Sequence, residues 1–297
     1  MKNKKILIIG GSGFIGYHLA KKCLKHNCLV TSISLTNPSR ERKIKKVKYI
    51  KCDISKKSNL RKKINKKFDV VVNLGGYIDH VNKSRTYKAH YLGCRNLVNF
   101  FLKSKIKVFV QMGSSSEYGK IKSPHSERAL CKPTSIYGYS KFSATKFLLK
   151  FEKKNFPFVI LRFYQVYGPK QKTNRMIPHV VNCAKKNLAF DCSDGRQSRD
   201  FLYIDDAVEA IYKCFRTKKI LGKIINIGSG RLINIKNLIQ SIVRIIGKGK
   251  PNYGKIKLRA DEPLISFPSI IRSRKYLGWK QKTSFEIGLK KTINYYK

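Results

Sequence analysis

Gly10-Gly11-Ser12-Gly13-Phe14-Ile15-Gly16 follows the apolar run Ile6-Leu7-Ile8-Ile9 and opens a helical pattern over Phe14 to Lys25. The stretch satisfies G-x-G-x-x-G from Gly11 and G-x-x-G-x-x-G from Gly10. Glycines at these places let the backbone turn tightly and approach a pyrophosphate, which then rests on the N-terminus of the following helix. A strand before and a helix after are the context that separates this motif from a glycine-rich turn with no ligand.

Working outward, further strands are predicted over Cys28–Leu35, Val47–Cys52, Asp69–Leu74, Val108–Met112 and Phe158–Phe163. Helical stripes lie between them, over Thr86–Lys103 and Ile136–Lys153. Continuous Val/Ile runs separated by helices are the signature of a parallel sheet covered on both faces. The expected fold is α/β, a Rossmann-type doubly wound parallel sheet with a smaller C-terminal lobe. Residues 1–168 read as the cofactor domain and 169–297 as the lobe, with 198–230 partly returning to the first domain. Helices are expected over Asp205–Arg216 and Asn234–Ile246.

The composition bounds the function classes. Of 297 residues 42% are hydrophobic, ample for a core, which excludes global disorder. No apolar run is long enough for a transmembrane helix, and the short apolar start is too brief for a signal-peptide core. The formal charge of +49 comes from 65 Lys and Arg against 16 Asp and Glu. The lysines recur in nearly every segment rather than in one tail or helix, so they read as a bias spread over solvated faces. No specific nucleic acid and no membrane partner is expected. Eight cysteines contain no C-x-x-C pair and no metal-ligand spacing. They read as reduced thiols of a cytoplasmic protein with no metal site.

The end of the second strand carries a distinction. An acidic residue there would hold ribose hydroxyls, but Thr31-Ser32-Ile33-Ser34-Leu35-Thr36 contains none. Ser34 or a neighbour must serve, and Arg40 and Arg42 follow. A missing carboxylate removes repulsion toward a 2′-phosphate, and arginine pairs well with one. The cofactor is therefore NAD or NADP, with the balance toward NADP. Asp53, after the third strand, is placed to meet the adenine amine; it also reads as an N-cap for the next helix.

The chemistry is carried by two later stretches. The fifth strand runs into Gly113-Ser114-Ser115-Ser116-Glu117-Tyr118-Gly119, and Tyr137-Gly138-Tyr139-Ser140-Lys141 follows. On a helix Tyr137 and Lys141 share one face. A lysine ammonium beside a phenol stabilises the phenolate, and the phenol can exchange a proton with a substrate alcohol. A serine hydroxyl at the end of the sheet would hold that alcohol.

With these residues in place the chain resembles the extended short-chain dehydrogenase/reductases, the nucleotide-sugar epimerases, dehydratases and reductases. The resemblance extends through Leu161–Pro169, Asp194–Phe201, Tyr203–Ala207 and Leu277-Gly278-Trp279. It implies a cofactor set of Gly10, Gly11, Gly13, Phe14, Ile15, Gly16, Ser34, Arg40, Asp53, Ile54, Leu74 and Gly75, with Tyr137 and Lys141. It implies Tyr137 as acid/base, Lys141 as its tuning partner, and a serine as the third catalytic group. The serine turn is one residue shorter than the family pattern, so alignment on Glu117 selects Ser115 and counting back from Gly119 selects Ser114. Ser115 is the better choice, since a gap in the turn disturbs the strand end less. Glu117, Gln165, Arg199 and Arg259 are the implied substrate contacts, the arginines on a nucleotide diphosphate.

Three departures matter. Gln165 stands where the family has Asn, His90 stands for another Asn, and Ser116 occupies the place of a dehydratase Asp. Glu117 leaves a Glu-based dehydration open. The expected reaction is hydride transfer at carbon 4 of a nucleotide-linked hexose. Reduction of a 4-keto sugar is favoured over 4-epimerisation, with 4,6-dehydration third. A non-catalytic nucleotide- or RNA-binding module is disfavoured, because Tyr137, Lys141 and the serines are all present. The resemblance also implies a homodimer through the Thr86–Lys103 and Ile136–Lys153 helices.

Overall fold

In the computed structural model, residues 1–65, 67–77, 82–260 and 262–296 are described. Strands β1 (Lys5–Ile9), β2 (Leu29–Ser34), β3 (Val47–Lys51), β4 (Val70–Asn73), β5 (Val108–Ser114) and β6 (Phe158–Phe163) form most of the main sheet. Three short strands β7 (Gln165–Tyr167), β8 (Ala189–Asp191) and β9 (Ser198–Arg199) follow, then β10 (Phe201–Tyr203) and β11 (Ile224–Ile227). The seven-stranded sheet has the order β11-β6-β5-β4-β1-β2-β3, and every neighbouring pair in it is parallel. The order reverses direction between β1 and β4, which opens the crevice where such sheets take ligands.

Alternation along β1 explains its uninterrupted apolar run. Ile6 and Ile8 enter one core with Leu19, Val72 and Ile211, whereas Leu7 and Ile9 enter the other with Val71, Leu97 and Phe109. A strand buried on both faces has no polar side to show. Helix α1 (Phe14–Lys25) starts at Phe14 as the glycine stretch requires. It is followed by α2 (Lys57–Lys63), α3 (Lys83–Tyr87), α4 (Gly93–Phe101), α5 (Ile136–Leu149), α6 (Met176–Lys185) and α7 (Ile204–Lys213). Helices α1 and α7 pack together over one face of the sheet, and α4 and α5 over the other.

Strand β11 comes from the second half of the chain and pairs with β6. Helix α7 also belongs to that half and covers the sheet; most of the remainder builds the smaller lobe. Helices α8 (Ile235–Ile246), α9 (Ile271–Leu277) and α10 (Phe285–Tyr296) are joined by β12 (Ile233–Asn234), β13 (Lys250–Asn252) and β14 (Ile265–Ser266). Small sheets pair β10 with β7, β13 with β8, and β9 with both β12 and β14.

Several elements differ from the sequence reading. Helix α5 stops at Leu149, and a 3-10 turn over Glu152–Lys154 ends at Asn155 in the left-handed region, which closes the helix earlier than its apolar stripe suggests. The expected Thr86–Lys103 helix is broken by a π-helical turn over Lys88–Leu92. One wide turn shifts the phase of the stripe and carries His90 into the interior. The apolar runs give no sign of α2, α6 or β11, since each is short and its pattern is fixed only by what it packs on. All eight cysteines are free thiols, six of them buried. Among the described residues no helix is long and apolar enough to cross a membrane. No group of three His, Cys, Asp or Glu is placed to hold a metal among them either.

Candidate active site

The glycine loop sits at the C-terminal end of β1, and its close contacts dictate its composition. Gly10 has φ +77°, and a Cβ there would lie 2.8 Å from the Leu74 carbonyl oxygen at the end of β4. A Cβ on Gly16 would lie 2.4 Å from the Gly10 carbonyl oxygen. Helix α1 can therefore approach the loop only because position 16 has no side chain. The amides of Phe14 and Ile15 in its first turn have no intrahelical acceptor, as in the first turn of any α-helix, and Gly13 at the N-cap supplies no side-chain partner. The cradle thus has the shape and the donors that a dinucleotide pyrophosphate needs.

Ser34 ends β2 beside this loop. Its hydroxyl donates to the Ile33 carbonyl at 2.8 Å and accepts from the Ser12 amide at 3.3 Å. Arg40 is exposed, whereas the Arg42 guanidinium is tied to the Lys170 carbonyl across the lobe. Of the two arginines after β2, Arg40 is the more exposed. Asp53 accepts from the amide and hydroxyl of Ser55 through one oxygen, at 2.9 and 2.7 Å. This local turn replaces the N-cap expected of Asp53, because α2 starts later and Lys56 holds its N-cap position. The Ile54 carbonyl accepts from Asn96 at 3.0 Å, which fixes the backbone around it. Gly75 lies buried beyond β4, its amide donating to Asn73 at 3.1 Å.

At the end of β5 the chain makes a 3-10 turn over Ser115–Glu117. Ser114 is its N-cap: its hydroxyl accepts from the Ser116 amide at 3.1 Å, and its own amide donates to Glu117 Oε1 at 2.9 Å. The half-buried Ser115 hydroxyl has no hydrogen-bond partner among the described residues. The Ser-x-x-Glu spacing of a capping box was a readable signal that Ser114 would be engaged in this way.

Glu117 is a correction. Expected to face substrate, it is fully buried, and its other oxygen accepts from Arg162 Nε and Nη2 at 2.9 Å each and from Thr145 Oγ1 at 2.8 Å. Both carboxylate oxygens are occupied from within, so the residue braces the turn. Burial draws Arg162 down from its ordinary pKa, but Glu117, with Tyr118 and Cys131 beside it, together outweigh burial and the net shift is upward. A charged residue in the middle of Phe158–Phe163 had to be paired to be buried, which is the signal that pointed to it.

Ser135 caps α5 by accepting from the Gly138 amide at 3.1 Å. A Cβ on Gly138 would lie 2.3 Å from the Ser116 carbonyl oxygen, so this glycine lets the helix close on the serine turn. That contact puts Tyr137 next to the strand end. Lys141 is almost wholly buried, donates to the Met112 carbonyl at 2.7 Å, and lies 5.8 Å from the centre of the Tyr137 ring. His90 meets the Tyr137 ring edge-on at 5.0 Å, with its Nε2 against the backbone of Tyr77.

On the lobe side, exposed Gln165 lies just past β6, and its amide donates to the Asp200 carbonyl at 3.0 Å. Arg199 and Arg259 are brought together by a residue absent from the sequence reading. Glu262 takes Arg199 Nη2 at 2.8 Å on one oxygen and Arg259 Nε at 3.6 Å on the other. Burial lowers the Arg199 pKa from its ordinary value, and Glu262 opposes that shift.

A dinucleotide cradle and a Tyr–Lys–Ser group at the C-terminal edge of one parallel sheet define a class of nicotinamide-dependent enzyme. A sequence model of the NAD dependent epimerase/dehydratase family matches residues 6–228, and the chain belongs to that family. An uncharacterised UDP-glucose epimerase of Bacillus subtilis is 29% identical over 98% of this chain and 97% of its own. The CDP-abequose synthase of Salmonella muenchen is 29% identical over 98% of each. The crystal structure of the UDP-glucuronic acid 4-epimerase of Bacillus cereus, in complex with UDP-glucuronic acid and NAD, superposes with a TM-score of 0.88. It is 27% identical over 98% of both chains.

Proposed function

We propose that this protein transfers hydride at carbon 4 of a nucleotide-activated hexose, reducing a 4-keto sugar. The observation that carries the reading is the convergence of Tyr137, Lys141 and Ser115 on the end of β5, beside the glycine cradle. When bound, the nicotinamide cofactor supplies or takes up the hydride. The chain's own residues handle the proton and the geometry. Tyr137 gives a proton to the sugar oxygen as the ketone becomes an alcohol. Lys141, fixed by the Met112 carbonyl, places a positive charge beside that phenol. Ser115 donates to the same sugar oxygen, since its hydroxyl is not engaged in the turn. Arg199 and Arg259 hold the diphosphate, a role suited to guanidinium forks.

Two features of the site support reduction with a dissociating cofactor. The end of β2 offers Ser34 in place of a carboxylate, and a neutral hydroxyl holds ribose more weakly than a charge-assisted partner. Arg40 is exposed and open to a 2′-phosphate, which supports NADP. Dehydration is disfavoured because Glu117 is spent on Arg162 and Thr145. Epimerisation is the second reading, favoured by the likeness to the Bacillus cereus 4-epimerase and its NAD.

The test is to purify the protein and identify released nucleotides before anything is added. The expected result is a site free of bound NAD, with NADPH consumed one-for-one with a 4-keto nucleotide sugar. Stoichiometric, tightly held NAD, with sugar turnover that needs no added cofactor, would overturn reduction and leave epimerisation.

A further inference from the structure

The cradle uses the C-terminal ends of the strands; a second concavity lies at their opposite ends. A cavity of about 610 Å³ opens over the start of β1, β2 and β3. Its origin is a short cover. In the parallel register Ile9 pairs with Ile33 and Ile33 with Ile50, and Leu60 of helix α2, with Ile64 just after it, packs on that end of the face. Toward the strand starts the same face carries Lys5 beside Leu29 and Thr31 beside Lys48. Helix α2 is seven residues long and does not reach them. Leu29 is left 55% exposed although it sits in the second strand from the sheet edge.

The walls are of two kinds. Leu29, Ile50 and Phe68 give an apolar floor, and Lys5, Lys46, Lys48, Lys63 and Lys67 stand around it. No Asp or Glu lines the cavity among the described residues. The nearest acid in sequence, Asp69, is taken by the Lys5 amide at 2.9 Å and by Lys4 Nζ at 3.3 Å. Lys63 spends one donor on the Lys51 carbonyl. Lysines are common over the whole surface, but here they ring an apolar hollow instead of a solvated convex face. Their mutual repulsion is relieved by an anion, and the hollow rewards an apolar group attached to it.

We infer that this cavity is a binding site for a small amphipathic anion, a phosphate or carboxylate head on an apolar body. The volume falls in the range of about 300–1,000 Å³ typical of small-molecule sites. The concave shape selects a single molecule that enters over a planar bilayer, which would need apolar groups that protrude. The site is separate from the proposed reaction, and its occupancy does not depend on that reading.

The probe is octyl phosphate, titrated calorimetrically against the whole protein at physiological salt, with hexyl and inorganic phosphate beside it. The expected result is one site per chain. Affinity rises about threefold to fourfold for each added methylene, so hexyl phosphate binds roughly tenfold more weakly than octyl phosphate. Leu29→Asp and Lys48→Glu, both at exposed positions, each weaken octyl phosphate by at least about tenfold. Lys255→Glu, an exposed lysine outside the cavity, changes it by less than about twofold. NAD(P)H binding and thermal melting stay unchanged in all three variants, which shows that the fold is intact. Equal losses in Lys48→Glu and Lys255→Glu would reduce the effect to diffuse charge and overturn the site. So would affinity independent of chain length. Leu29-dependent binding of phosphatidylglycerol vesicles without binding of octyl phosphate would also overturn it, in favour of a membrane surface.

Discussion

Replacing Glu117 by Gln is expected to damage stability far more than substrate recognition. The carboxylate is 0% exposed and Arg162 is 1% exposed, so neither charge has water to fall back on. Glu117 accepts from Arg162 twice, from Thr145 and from the Ser114 amide. Glutamine keeps the shape but turns one acceptor into a donor and leaves the guanidinium without its counter-charge. Breaking a buried pair from one side costs about 3–5 kcal/mol. At roughly 2–4 °C per kcal/mol for a chain of this size class, the melting temperature should fall by about 6 °C or more. Differential scanning fluorimetry reads the shift, and steady-state kinetics on the folded fraction read KM. Combining Glu117→Gln with Arg162→Met should cost less than the sum of the two, because the stranded charge is then gone. A Glu117→Gln protein that melts within about 2 °C of the parent while its KM for the nucleotide sugar rises tenfold would refute the reasoning, with the carboxylate then a substrate contact.

Other outcomes follow from the same geometry. Ser115→Ala should lower kcat by roughly a hundredfold or more with little change in melting, whereas Ser114→Ala should cost about 1 kcal/mol of stability through the lost cap; kinetics and melting curves on the pair separate the two roles. Gly16→Ala pushes a methyl to within 2.4 Å of the Gly10 carbonyl, and NAD(P)H affinity measured by fluorescence should drop at least about tenfold. The aromatic surface of Tyr87, Tyr91, Tyr139 and Phe147, in which Tyr139 is 50% exposed, is expected to pair two chains. Light scattering should give the mass of a homodimer at micromolar protein, and a stable monomer would contradict the pairing.

The sequence by itself determined the sheet and the kind of chemistry. Gly10–Gly16 between an apolar strand and a helix has few physical solutions, and both-face burial of β1 and β4 shows as the apolar runs Ile6–Ile9 and Val70–Val72 because such strands have no solvent side. The Tyr137–Lys141 spacing is likewise local, a matter of one helical turn. Tertiary structure decided what depends on partners remote in the chain. Glu117 is a brace only because Arg162, 45 residues later, reaches its oxygens. Ser114 and Ser115 differ by which hydroxyl the turn consumes, and the Arg42 guanidinium is held by the Lys170 carbonyl, 128 residues later. Glu262 pairs with Arg199, 63 residues earlier, and with Arg259, and β11 finds its place beside β6 from the far half of the chain. The local pattern records whether a side chain must be buried or turned; which charge or carbonyl it then meets is fixed by packing, where a single well-placed partner outweighs local propensity.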